Sequence, residues 1–149
     1  MSLSVKVMTA LKEAMKSKDQ TALTALRAVK SAILLAQTES GAKEELTEEQ
    51  ELKLLQKQVK QRKDSAAVYI DQGREDLAEP ELAEAKVIEQ FLPEAMSEDE
   101  VAKIVEDIIA KTGADGMKDM GKVMGIASKE LAGRADGKTI SNIVKAKLA

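Results

Sequence analysis

The sequence predicts an all-α protein, because apolar residues recur at spacings of three and four in one segment after another. No segment alternates apolar and polar residues convincingly at the period of two that a half-buried strand needs. Aromatic residues are almost absent, with one Tyr, one Phe and no Trp among 149 residues. The core must therefore consist of Leu, Ile, Val, Ala and Met, as is typical of helix bundles.

The composition excludes several kinds of chemistry. The chain has no Cys and no His, which rules out disulfides, thiolate nucleophiles, imidazole metal ligands and Ser-His or Cys-His catalysis. Carboxylates are abundant, but no pattern marks a buried acid–base pair or a metal-binding set, so we predict no catalytic residue, no metal site and no cofactor. No apolar run approaches the roughly 18 residues of a membrane span, and the first residues lack the apolar centre of a secretion signal. We therefore expect a cytoplasmic protein without membrane contact.

Apolar stripes and capping residues predict the first two helices. Leu3–Lys16 is amphipathic, and Asp19 is placed to cap a second helix that runs to about Glu39. Ser40-Gly41 should stop that second helix.

A capping box formed by Thr47 and Gln50 begins the longest predicted helix, about 47–71. Its apolar stripe includes Ile70, which we expect to face inward. Gly73 should end this helix.

Pro80 suits the first turn of a helix, because its missing N–H leaves no hydrogen bond unmade there. The sequence therefore predicts a connector over 74–77 and a fourth helix from Pro80 to about Phe91. Leu82 is expected on the inward side of this helix.

Three more helices are predicted in the remainder of the chain. Ser97 and Glu100 form a second capping box, and Gly113 should end the helix that follows. The predicted organisation is an N-terminal helical bundle, 1–94, followed by a C-terminal three-helix domain, 95–149.

The last two predicted helices gather positive charge at the end of an acidic chain. Residues 117–149 contain seven bases and three acids, a net charge of +4, whereas the whole chain carries −3. Each helix has one apolar stripe, and its lysines occupy other faces. Such a local basic surface favours contact with a polyanion. The candidate phosphate contacts are Lys118, Lys122, Lys129, Arg134, Lys138 and Lys145.

Gly121 and Gly125 lie four residues apart inside the first of these basic helices. Each costs about 1 kcal/mol relative to alanine in a helix interior, so something should offset that cost. Either an RNA backbone approaches closely between the lysines, or a neighbouring helix packs closely against the glycines. Helix packing is the commoner need for small residues, and both explanations can hold on different faces.

A second basic run, Lys57–Lys63, also has two interpretations. Lys60, Arg62 and Lys63 contact phosphates, or the run is a solvated helix face in which Arg62 pairs with a carboxylate. Carboxylates are plentiful, because residues 75–100 contain ten acids and a single base.

Several strings follow one another in a characteristic order along almost the whole chain. They are Leu26-Arg27, Ser31-Ala32-Ile33, Lys57-Gln58-Val59-Lys60-Gln61-Arg62-Lys63-Asp64-Ser65, Tyr69, Gly73-Arg74-Glu75-Asp76-Leu77-Ala78, Glu81, Glu84, Phe91-Leu92-Pro93, Asp119-Met120-Gly121-Lys122-Val123-Met124 and Gly133-Arg134-Ala135-Asp136-Gly137-Lys138. This set resembles the GatB/YqeY family, and specifically its free-standing YqeY-like proteins. The order and spacing make the resemblance specific, although no single string would.

The resemblance implies a fold and a role. It implies an N-terminal helical bundle joined to a C-terminal three-helix domain, and kinship with the C-terminal region of the GatB component of glutamine-dependent aspartyl/glutamyl-tRNA amidotransferase. In that enzyme this region holds the tRNA body, while phosphorylation and amide transfer occur elsewhere. We expect the large catalytic domain to be absent here. The family carries the label of carbon–nitrogen ligase with glutamine as amide donor. We therefore expect this chain to share the label without catalysing the reaction.

Three hypotheses for the function follow, and we favour the first. The chain is a non-catalytic, tRNA-binding accessory module, or a protein adaptor that docks an amidotransferase or aminoacyl-tRNA synthetase subunit, or an enzyme acting alone in amide transfer. Sequence-specific readers of single strands stack bases on aromatic rings, which this chain lacks. We therefore expect any RNA contact to involve the backbone and shape of a folded RNA.

Overall fold

The computed structural model describes residues 2–39 and 45–149. Within these ranges the protein is all-α, with one short 3-10 helix and no strand, which confirms the predicted fold class. No helix in the described ranges combines the length and apolar character needed to cross a membrane. The helices are α1 (Leu3–Ser17), α2 (Gln20–Glu39), α3 (Glu48–Asp71), α4 (Glu75–Glu89), α5 (Glu98–Thr112), a 3-10 helix (Met117–Asp119), α6 (Met120–Glu130) and α7 (Gly137–Leu148).

Local capping chemistry places the starts of α2 and α3 where the sequence predicts them. The Asp19 carboxylate accepts a hydrogen bond from the Ala22 N–H at 3.1 Å. Both halves of the Thr47–Gln50 capping box form, at 3.2 Å from the Gln50 N–H to the Thr47 hydroxyl and 2.9 Å in return. The predicted stop at Ser40-Gly41 lies outside the described residues.

Side chains also cap the helices of the C-terminal part, although within the described ranges only the Ser97 half of the predicted Ser97–Glu100 capping box forms. The Ser97 hydroxyl accepts from the Glu100 N–H at 3.2 Å, and α5 ends at Gly113, whose φ of +66° is the left-handed conformation that glycine adopts without strain. At α7, the Asp136 carboxylate accepts from the Thr139 N–H at 2.6 Å.

The prediction for the start of the fourth helix was wrong. α4 begins at Glu75, so most of the predicted connector over 74–77 is helical, and Pro80 lies inside the helix. Proline has no N–H to donate to the carbonyl four residues earlier, so one helical hydrogen bond is missing. Ala78 is buried, and α3 and α4 pack closely together. This packing extends the helix to the N-terminal side of the proline.

The inward orientation predicted for Ile70 and Leu82 was also wrong, since they are 49% and 43% exposed. The core cluster formed by α1–α4 contains no residue from 60–84. In that stretch α3 and α4 pack mainly on each other, with the small side chains of Ala66 and Ala78 buried. Large apolar side chains beside such a two-helix contact remain exposed.

The chain divides into two compact units, an N-terminal unit (Met1–Leu92) and a C-terminal unit (Pro93–Ala149). Each has its own apolar core among the described residues. In the C-terminal unit α5, α6 and α7 all pack against one another. That the two parts are separate folding domains stays a prediction.

Candidate nucleic-acid interface

Lys122 and Lys129 lie on the outer side of α6. They are seven residues apart, about two turns, so both side chains leave the same side of the helix. Val123 and Ala127, on the opposite side, are fully buried in the core of the C-terminal unit. Both lysines are exposed, as is Lys118 in the preceding 3-10 helix. None of the three forms an ion pair with a residue in the described ranges.

Lys138 and Lys145 repeat the seven-residue spacing on α7. The contact of the Lys147 ammonium with the Glu106 carboxylate marks the side of α7 that faces α5. Lys145 is two residues from Lys147, about 200° around the helix, so Lys138 and Lys145 point away from α5. Both are exposed and have no ion-pair partner in the part of the chain that the structure describes.

Gly121 and Gly125 are exposed on the same outer side of α6 as the lysines. Apart from its chain neighbours and the backbone of its own helix, a Cβ atom added to either would meet no atom of the described residues within 4 Å. Neither glycine has a positive φ. The explanation by close packing of a neighbouring helix is therefore wrong, and nothing in the described chain requires glycine at these positions.

Arg134 has a structural task within the C-terminal unit. Its Nε–H donates to the carbonyl of Glu94 at 3.3 Å, and the Met96 N–H donates to the Arg134 carbonyl at 3.0 Å. The turn after α6 thereby holds the segment that precedes α5. The sequence does not show which side chain donates to a given backbone carbonyl, so this hydrogen bond of Arg134 was not predicted. The side chain stays exposed.

The cations predicted as phosphate contacts on α3 are all paired with carboxylates. Arg62 is largely enclosed, with its side chain 13% exposed, and its Nη1 also donates to the side-chain and main-chain oxygens of Gln58. A phosphate would have to displace these carboxylates, which makes α3 a weaker candidate than α6 and α7. The pairs are Lys60–Asp64 at 3.3 Å, Arg62–Glu84 at 3.5 Å and Lys63–Glu89 at 2.8 Å.

The C-terminal unit is acidic in its first part and basic in its second part. Residues 93–116, which include α5, contain seven acids and two bases, whereas residues 117–149 contain seven bases and three acids. A polyanion is therefore attracted to α6 and α7 and repelled by α5. Within the described ranges, no group of three or more carboxylates is arranged to hold a metal ion.

The chain also matches known proteins. The family model of the YqeY-like proteins matches residues 4–148. This chain belongs to the YqeY-like family. The E subunit of the glutamyl-tRNA(Gln) amidotransferase of Thermococcus gammatolerans is 38% identical to this YqeY-like chain over 73 residues, which cover 46% of the chain and 12% of that archaeal protein. The corresponding protein of Methanobrevibacter smithii is 44% identical over 54 residues, covering 34% of the chain and 9% of the relative.

A fungal relative matches more of this YqeY-like chain. The altered inheritance of mitochondria protein 41, mitochondrial, of Pyrenophora tritici-repentis is 32% identical over 127 residues, 84% of the chain and 68% of that protein. The chain thus spans most of a fungal relative but only 12% of the archaeal amidotransferase protein.

Proposed function

We propose that this YqeY-like chain is a non-catalytic accessory module that binds tRNA through the outer faces of α6 and α7. The observation that carries the proposal is the pair Gly121 and Gly125, open to solvent beside Lys122 and Lys129. Without Cβ atoms, the helix lets a sugar-phosphate backbone approach closely, and the lysines supply the opposite charge. The proposed phosphate contacts are Lys118, Lys122, Lys129, Arg134, Lys138 and Lys145.

The choice of tRNA draws support from the name of a relative, which is a component of a glutamyl-tRNA(Gln) amidotransferase. The near-absence of aromatic residues supports recognition of the backbone and shape of a folded RNA. Because the chain spans only 12% of that relative, amide transfer is not part of the proposal. Turnover of glutamine and ATP by the purified chain alone would contradict the non-catalytic role.

The test is a binding series with bulk tRNA between roughly 50 and 200 mM salt. Each phosphate contact contributes about −0.7 to −0.9 to the slope of log affinity against log salt. We expect the triple variant Lys122→Ala/Lys129→Ala/Lys138→Ala to bind more weakly and to lower the magnitude of the slope by about 2 to 3. No binding at low salt would overturn the proposal.

A second triple variant serves as the matched control. Lys103→Ala/Lys111→Ala/Lys147→Ala removes the same charge from the same unit, but from α5 and from the side of α7 that faces it. We expect it to keep most of the affinity and slope of the unmodified chain. Equal losses in both triple variants would show attraction by net charge alone, and the proposed interface would be wrong.

A protein adaptor is the second candidate, with an amidotransferase or aminoacyl-tRNA synthetase subunit as its partner. The similarity to a region of an amidotransferase component favours it. A pull-down with the purified partner protein that survives nuclease and is lost in Glu81→Lys would support the adaptor over the RNA-binding module.

We place the chain in the cytoplasm. The lack of Cys fits a reducing compartment, whereas the fungal relatives carry the word mitochondrial in their names. Fractionation of cells that express the tagged full chain decides between the two compartments.

A further inference from the structure

The α3–α4 hairpin has one side marked by the ion pair of Lys63 with Glu89, at 2.8 Å. Ile70 follows Lys63 by seven residues on α3, and Leu82 precedes Glu89 by seven residues on α4. Seven residues are about two helical turns, so Ile70 and Leu82 lie on the side of the hairpin that this ion pair marks. Both are exposed large apolar side chains.

Two carboxylates share that side of α4 with Leu82. Glu75 and Glu79 precede it by seven and three residues, spacings that place side chains on one helix face. Both are exposed, and neither forms an ion pair within the described ranges. We name Ile70, Glu75, Glu79 and Leu82 the acidic face.

The outer side of α1 carries the opposite combination. Val5, Met8 and Met15 are exposed at spacings of three and seven, opposite the side that enters the core. Lys12 lies on the same line, four residues after Met8 and three before Met15. It is exposed and has no ion-pair partner among the residues that the structure describes. We name Val5, Met8, Lys12 and Met15 the basic face.

We propose that the basic face of one copy docks on the acidic face of a second copy. Single exposed apolar residues are ordinary on protein surfaces. These differ because each set is aligned on one side of an element and accompanied by net charge of opposite sign. Lys12 is the cation of one face, whereas Glu75 and Glu79 outnumber the exposed Lys86, which follows Leu82 by four residues, on the other. Docking removes both apolar strips from water and brings Lys12 of one copy to Glu75 and Glu79 of the other copy.

The proposal is independent of RNA binding, since it involves the N-terminal unit alone. The two faces are different surfaces, so the contact is heterologous. Its electrostatic part should weaken as salt rises.

The experiment measures the mass of the nuclease-treated full chain by sedimentation over a range of concentrations at low salt. We expect the average mass to rise with concentration from 16.1 kDa to twice that value or more. Lys12→Glu and Glu79→Lys should each weaken association at least about tenfold, since each places like charges opposite one another. The double variant Lys12→Glu/Glu79→Lys should restore association, and so should a mixture of the two single variants.

Lys111→Glu on α5 is the control, because it makes the same charge change outside both faces and should leave association unaltered. Circular dichroism identifies any variant that fails to fold, and Lys12→Gln and Glu79→Gln then replace it. A chain that stays monomeric at every concentration overturns the proposal. Association that is insensitive to both reversals overturns it too, as does association that requires added RNA. None of these three outcomes contradicts tRNA binding by a monomer.

Discussion

Gly121 and Gly125 lie one turn apart on the exposed side of α6, and a methyl group at either position would meet no atom of the described residues within 4 Å beyond its chain neighbours and its own helix backbone. Gly125 is interior to the helix, where glycine lowers stability, whereas Gly121 lies in the first turn of α6. Neither backbone strain nor internal packing accounts for them. The proposed function supplies a reason for them, which is the approach of a partner from outside, and the neighbouring lysines favour an anionic one.

Substitution of these glycines should change stability and binding in opposite directions. We expect Gly125→Ala to raise the free energy of unfolding by about 0.5 to 1 kcal/mol, because alanine is the better helix former in a helix interior. Gly121→Ala, in the first turn of α6, should raise it by less. The same substitutions should weaken tRNA binding, because they hold the RNA backbone away from the helix. Urea unfolding and tRNA titration measure the two effects.

Gly113→Ala provides the contrast to those two variants. Its φ of +66° strains any residue with a side chain, so stability should fall while tRNA affinity is retained. Unchanged tRNA affinity in the Gly121→Ala/Gly125→Ala double variant would contradict the role of these glycines.

The sequence predicts features that depend on neighbours a few residues away. The capping box of Thr47 and Gln50 is one such case, because both partners lie within a single turn. Features set by distant packing were not predictable in this way. Ile70 has the spacing of a core residue, yet its exposure depends on how far α1 and α2 extend along the hairpin.

The candidate site also combines features that local sequence predicts with features that depend on distant packing. Spacing alone places Lys122 and Lys129 on one side of α6, and the glycines beside them. Whether a helix covers those glycines depends on the fold, and the more common explanation was wrong. The hydrogen bond from Arg134 to the Glu94 carbonyl joins residues forty positions apart. Because its acceptor is a main-chain atom, no pattern of side chains predicts it.

The Arg62–Glu84 pair should stabilise the hairpin rather than bind RNA. Both side chains are largely enclosed, at 13% and 17% exposed, and the Arg62 Nε is buried without a hydrogen-bond partner in the described structure. Glu84→Ala leaves that charge enclosed without its carboxylate, so we expect a loss of about 1 to 3 kcal/mol in unfolding free energy. Asp64→Ala, which breaks an exposed pair, should cost at most about 0.5 kcal/mol. Equal losses in the two variants would show that the enclosed pair is no more important than a surface one.

Pro80 should limit the stability of α4. Replacement by alanine supplies the N–H that proline lacks and removes the clash of its ring with the preceding turn. The gain is reduced because proline also restricts the unfolded chain. We expect Pro80→Ala to raise the free energy of unfolding by about 1 to 2 kcal/mol. Pro93→Ala, outside any helix, should change it little, and a less stable Pro80→Ala would mean that the proline fits this helix without cost.

Arg74 and Asp76 form a paired hydrogen bond at the start of α4, with Nε and Nη2 each 3.0 Å from a carboxylate oxygen. The guanidinium lowers the pKa of Asp76 below its ordinary value of 3.8 and the carboxylate raises the pKa of Arg74. Because the pKa of Asp76 is lower in the folded chain than in the unfolded chain, its stabilising effect is present at neutral pH. That effect is lost as the pH falls through the folded value.

Removal of the guanidinium should raise the pKa of Asp76 toward its ordinary value. In Arg74→Ala, a carboxyl-carbon NMR titration should show the pKa of Asp76 rising toward 3.8. The stability difference between the unmodified chain and this variant should be largest at neutral pH and shrink in acid. Glu75→Gln is the control, because it alters the neighbouring carboxyl without touching the pair. An Asp76 pKa that does not move in Arg74→Ala would show that the helix N-terminus, rather than the guanidinium, holds it down.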